Sequence, residues 1–267
     1  MKLNDRLIRS GRSTLPVVML VLVFFGSCDE AWAEPCAIAR EHGGISFPVH
    51  HLTGEWACRL KEVIDHYTTA NSVGPLSAAM DEAMYLHLLE RPPVAAALIN
   101  RLDLADYKAE TRGPDRWWGS DGEGTEGLVQ LVYHDRTTRV YYLEGSHRSR
   151  LLPNLSGKAV VFLRMNSFKD ASGLESMQST MAAYTMLDNR FLSGLASLLR
   201  PLVGATITKK LAKGVAVVNR LGLEMRNRPD RVLFEATDPP ALAEEEVTFL
   251  KQALAAKPPS RGGRASP

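Results

Sequence analysis

Cysteine is scarce in this chain: three residues, Cys28, Cys36 and Cys58, in 267. They form neither a C-x-x-C pair nor a Cys/His spacing of the kind that holds zinc, so a redox dithiol and a structural metal are both unexpected. No hydrophobic run is long enough to span a bilayer. The longest, Leu15 to Phe25, has 11 residues, against the roughly 20 a spanning helix needs. Excess charge is missing too: the formal net charge is +2, which gives no reason to expect nucleic acid as a partner. There is no Gly-x-Ser-x-Gly elbow to mark a hydrolase serine. Gly122-x-Gly124-x-x-Gly127 has the spacing of a dinucleotide fingerprint, but it precedes a strand where the mechanism needs a helix N-terminus. No cofactor, metal or catalytic motif is therefore expected.

What is present begins at the N-terminus. Lys2, Arg6, Arg9 and Arg12 precede the apolar run, and Ala31-Trp32-Ala33 follows it. Charge, apolar run and A-x-A in that order are the pattern of an export signal cleaved between Ala33 and Glu34. Phe25-Gly26-Ser27-Cys28 also resembles a bacterial lipobox, which would lipidate Cys28; retention of the apolar segment would leave an anchor instead. Each route places the working domain outside the cytoplasm, periplasmic or secreted if the source is bacterial. In such a compartment Cys36 and Cys58 are expected to form a disulfide.

The rest of the chain divides by periodicity. Glu55 to Thr69 has helical spacing at Trp56, Leu60, Val63, Ile64 and Tyr67. Residues 71–75 read as a break, and Leu76 to Leu89 as a second helix with Leu76, Met80, Met84 and Leu88 in register. Pro92-Pro93 opens a third short helix to Leu102. Beyond Asp106 the chain reads as strands: 107–111, 127–134, 138–145, 158–168 and 174–187, with 112–127 as a glycine-rich charged loop holding Trp117-Trp118. Arg190 to Arg228 is a long amphipathic helix, or two joined at Pro201, with eight basic residues against one acid, Glu224. Arg231 to Phe234 reads as extended, and 242–256 as a last helix. The domain map is then a signal peptide at 1–33, a helical segment at 34–75, a ligand-binding domain at 76–235, a C-terminal helix at 236–256 and a disordered tail at 257–267.

The fold class is α+β: a curved antiparallel meander packed on a long C-terminal amphipathic helix, with extra N-terminal helices. This order of elements resembles the START-like (SRPBCC, helix-grip) superfamily, in which a curved sheet grips a C-terminal helix around a cavity. The family usually opens with a strand, and the segment before Glu55 is a poor one. The resemblance implies an exported binding protein for a hydrophobic small molecule or lipid. Trp117, Trp118, Tyr142, Met165, Met181, Leu198 and Leu211 are the candidate ligand contacts. Lys209, Lys210, Lys213 and Arg220 on the basic helix are candidates for meeting an anionic membrane surface. Two other readings use the same architecture: an enzyme working in that cavity with Glu144, His147 and Arg148 as polar groups, or a structural envelope protein whose basic helix docks a partner. His50-His51 in a glycine-bearing loop could bind metal, but two adjacent histidines read more simply as surface.

Overall fold

A computed structural model describes residues 36–148, 154–188 and 196–255, with side chains in the last stretch from residue 201 onward. The signal region with Cys28, the cleavage point at Ala33 and Glu34, and the tail from residue 257 lie outside the described residues.

The described chain opens with a short hairpin, β1 (Glu41–His42) and β2 (Ile45–Ser46), and a 3-10 turn, Val49–His51. Helix α1 (Gly54–Asp65) follows. Then come strand β3 (Thr69–Ala78), helices α2 (Glu82–Glu90) and α3 (Pro92–Arg101), and six strands: β4 (Lys108–Gly113), β5 (Arg116–Ser120), β6 (Thr125–His134), β7 (Thr138–His147), β8 (Leu155–Lys169) and β9 (Glu175–Leu187). Helices α4 (Ala196–Asn227), α5 (Pro229–Thr237) and α6 (Glu244–Ala255) complete it. Strands β3 to β9 make one seven-stranded sheet in the order β3-β9-β8-β7-β6-β5-β4, every pair antiparallel. The fold is the expected α+β arrangement, with α4 packed on the sheet.

Strand alternation sorts the two faces. Along β8, Val160 and Phe162 point to one side, where Leu60 and Val63 of α1 and Ile45 and Phe47 of the hairpin segment cover them. Leu163 and Met165 point to the other, into a cluster with Val217, Leu221 and Met225 of α4 and Met84 and Leu88 of α2. Because both faces are covered, the middle of β8, Ala159 to Leu163, is apolar without a break. A Cys36–Cys58 disulfide ties the first described residue to α1. Among the described residues, no helix is long and apolar enough to cross a membrane.

Three local expectations are corrected. Residues 71–78 are neither a break nor a helix start; they belong to β3, which pairs with β9 along its length and runs through the point where segment and domain divide in the sequence reading. Its register shifts between Val73 and Leu76, around Gly74-Pro75, so turn-forming residues sit inside a strand as a bulge. The helix begins later, at Glu82, where the Asp81 carboxylate accepts the Met84 backbone N–H at 2.8 Å. That is an ordinary N-cap. Within 112–127, β5 supplies a strand where a loop is expected, paired on both sides by β4 and β6. Residues 231–234 are helical, inside α5, which Pro229 opens at its first turn.

Helix α4 lies close against β3. Asn71 Nδ2 donates to Gly204 O at 3.1 Å and to Thr208 Oγ1 at 2.9 Å, and Asn219 Oδ1 accepts the Ala79 N–H at 3.0 Å. Gly222 permits the approach: a Cβ there would stand 2.7 Å from Ala79 O. At the far end, buried Glu246 of α6 pairs with His87 of α2 at 2.6 Å and with Arg91 at 2.7 Å.

Candidate ligand-binding site

Gripping α4 at β3 leaves space elsewhere between helix and sheet. Strands β7 to β9 present Leu143, Val161, Ala183 and Leu187 toward Ile207 and Leu211 of α4, across a cavity of about 410 Å³. A second cavity of about 440 Å³ lies between α2, α3, β4, β5 and the later part of α4, with Trp117, Trp118, Tyr107, Ile99, Gly214 and Val218 among its walls. Each falls within the roughly 300–1,000 Å³ typical of small-molecule sites.

The first cavity has one polar border. Lys210 and Lys213 reach from α4 to Asp121 and Glu123 in the turn between β5 and β6, in the two pairs Lys210–Asp121 and Lys213–Glu123, with Lys210 also 3.7 Å from Glu123. Burial acts to raise the Asp121 carboxyl, but the Lys210 ammonium and the Thr125 and Glu123 backbone N–H groups outweigh it and hold it below its ordinary value. The hydrogen bond from Lys213 likewise lowers Glu123, and the same bond raises Lys213. Beside them His147 Nδ1 lies 2.9 Å from Thr125 Oγ1. Burial first, then the positive charge of Lys210, pushes its imidazole below the ordinary 6.5, which favours the neutral ring.

The candidate ligand contacts separate. Leu211 lines the first cavity, and Trp117 and Trp118 line the second. Met165 and Met181 are core residues in the cluster beneath α4 and line neither cavity. Tyr142 points to the opposite face, where its ring packs 5.5 Å from Trp56 of α1; one step of strand alternation separates it from the cavity side. Leu198 lies outside the residues whose side chains are described. Of the basic quartet, Lys210 and Lys213 are the cavity-border pairs just described, while Lys209 and Arg220 are exposed. Elsewhere on α4, Arg226 pairs with Asp170 at 2.6 Å, and just past its end Arg228 pairs with Glu224. Much of the helix's positive charge is therefore met by carboxylates of the same chain.

Glu144, His147 and Arg148 do not converge. Glu144 sits three positions from His147 on β7, hence on the other face, where the Tyr142 hydroxyl donates to it at 2.7 Å. Arg148 turns to Glu126 at 4.0 Å. The His50 and His51 rings lie 4.3 Å apart, with His51 stacked on Tyr133; among the described residues no cluster of three or more His, Cys, Asp or Glu could hold a metal.

Most of the cavity walls were not singled out from the sequence. Val161, Ala183 and Leu187 are ordinary strand residues, and only their shared parity with Leu163 and Met181 marks the face toward α4. Gly119 falls in the 112–127 stretch whose composition reads as a loop, so only the strand β5 places it on a cavity wall.

No protein-family model matches the chain, and no curated protein matches it. Solved structures similar to part of it include two proteins. One is a conserved protein from Geobacillus kaustophilus, 10% identical, covering 58% of this chain and 95% of that one with a TM-score of 0.38. The other is an uncharacterized protein from Rhizobium leguminosarum, 13% identical, covering 58% and 97% with a TM-score of 0.34.

Proposed function

We propose that this is an exported binding protein of helix-grip type, similar to the START-like superfamily, that holds a hydrophobic or lipid-like ligand between its sheet and α4. The observation that carries the reading is the cavity of about 410 Å³ walled by Leu143, Val161, Ala183, Leu187, Ile207 and Leu211. Apolar walls around unfilled space lose dispersion contacts that a ligand restores. The likeness to helix-grip proteins is supported by β3, which supplies the opening strand the resemblance lacks in the sequence, and by the long helix seated on the sheet's inner face. Export is supported by the basic, apolar and A-x-A segments in order and by the Cys36–Cys58 bridge, since such bridges persist in oxidising compartments. A binding role, as against catalysis, is supported by the divergence of Glu144, His147 and Arg148.

Native mass spectrometry of the protein purified without detergent tests this. A mass above that of the polypeptide, lost on denaturation, is expected, with the released species soluble in organic solvent. A bare chain that takes up no fatty acid on incubation would overturn the reading.

A further inference from the structure

The two cavities share five wall residues, Tyr107, Gly119, Ser120, Asp121 and Val129. They also share one stripe of α4. Val203, Ile207 and Leu211 line the first, and Gly214, Val218 and Leu221 line the second. Those six positions are spaced by four, four, three, four and three residues, which is a single helical face. From Val203 to Leu221 that face extends about 27 Å at 1.5 Å per residue. The two cavities are thus consecutive along one groove.

We propose that they are two chambers of one site, and that its occupant is a single straight-chain amphiphile longer than either chamber, a proposal that rests on the binding function inferred above. The neck between the chambers suits a passing chain. Gly119 has no side chain to close it, and a Cβ there would meet only Lys108 O, at 3.6 Å. The charge at the neck, Asp121, is matched by Lys210 and by the N–H groups of Glu123 and Thr125 at 2.8 and 2.9 Å. A methylene chain beside it strands no unpaired charge. The charged groups give the direction. Glu123, His147, Lys210 and Lys213 border the first chamber, whereas the second, apart from Lys108 and the shared Asp121, is walled by residues such as Met80, Leu88 and Ile99. The polar head lies in the first and the tail passes Gly119 into the second. A chain that turns at every methylene follows this path, and a rigid fused-ring molecule of the same volume does not.

The test uses saturated straight-chain fatty acids graded in length, with affinity read by calorimetry and stoichiometry by native mass spectrometry. For the wild type, affinity should rise about four-fold per added methylene, past the length that fills the first chamber, with one molecule bound per chain. Gly214→Leu puts a side chain into the second chamber from a position where an added Cβ meets nothing within 4 Å. Gly119→Leu plugs the neck. Gly214→Leu, which lies outside the first chamber, should bind short acids as the wild type does, and both variants should bind long acids at least ten-fold more weakly. Two molecules per chain, no gain with length in the wild type, or folded variants that keep the full gain would each overturn the single-site proposal while leaving the binding function standing. If no acid of any length binds, both fail.

Discussion

Gly214 and Gly222 stand eight residues apart in α4, and the same substitution at each should have opposite effects. Replacing a helix-interior glycine by alanine gains about 1 kcal/mol from backbone entropy alone. At Gly214 nothing lies within 4 Å of the new Cβ, so that gain should appear undiminished. At Gly222 the Cβ would stand 2.7 Å from Ala79 O and 2.8 Å from Ala79 C. Both are backbone atoms, and the Ala79 N–H is itself held by Asn219, so the contact is relieved only if α4 lifts from β3. Overpacking of this kind costs about 1–3 kcal/mol. The propensity gain is common to both variants and cancels in their difference. Gly222→Ala should therefore be less stable than Gly214→Ala by about 1–3 kcal/mol, at roughly 2–4 °C of Tm per kcal/mol for a domain of this size. Urea denaturation with thermal melts reads this directly. Equal stabilisation by both alanines would refute the close seating of α4 on β3, and with it the geometry that leaves the chambers open elsewhere.

Two further outcomes are expected. The Cys36–Cys58 bridge spans a separation of 22 residues and should contribute about 3 kcal/mol in the chain-entropy model; Cys58→Ser or added reductant should lower Tm accordingly, and an unchanged melt would contradict it. His42 is buried, with its ring stacked on Phe162 and Nε2 2.9 Å from Ala39 O. Burial pushes its pKa below 6.5 against the opposing carbonyl bond. Between that lowered value and the unfolded value of about 6.5, the unfolded chain binds a proton that the folded chain does not, so stability is full above about pH 6.5 and falls as pH drops through that window. His147, lowered by burial and Lys210, slopes the same way. Urea melts across this range should show a shallower slope for His42→Gln and the shallowest for the variant changed at both histidines; a wild type equally stable from pH 7 to 5 would exclude the effect.

The strands β6 to β9 and helices α1, α4 and α6 were legible because each buries a regular stripe: Trp56-Leu60-Val63 in α1, or the alternating Val161-Leu163-Met165 in β8. β3 was not, because Asn71, Gly74 and Pro75 carry turn chemistry and the Met80-Met84-Leu88 spacing extends a helical pattern backward across Leu76. Only pairing with β9, more than a hundred residues away, overrides those local signals. β5 was hidden by glycines and charges on either side of Trp117-Trp118. In the site, the apolar stripe of the long helix marks Leu211 and the amphipathic rings of Trp117 and Trp118 suit a ligand mouth, but the chemistry of Tyr142, Met165 and Met181 says nothing of which face of the sheet they occupy. The lysines Lys210 and Lys213 looked free in a basic helix because their carboxylate partners Asp121 and Glu123 lie about ninety positions earlier.

The most direct test of the binding claim enters the first chamber from opposite walls. Ala159 stands on its sheet wall and Ile207 on its helix wall. Ala159→Leu and Ile207→Trp fill space that a ligand would occupy, so both variants should fold with Tm unchanged or raised. Titration with a fluorescent fatty-acid analogue should show saturable binding to the wild type and at least ten-fold weaker binding to each variant. Two folded variants that bind the analogue as tightly as the wild type would contradict a ligand site between the sheet and α4.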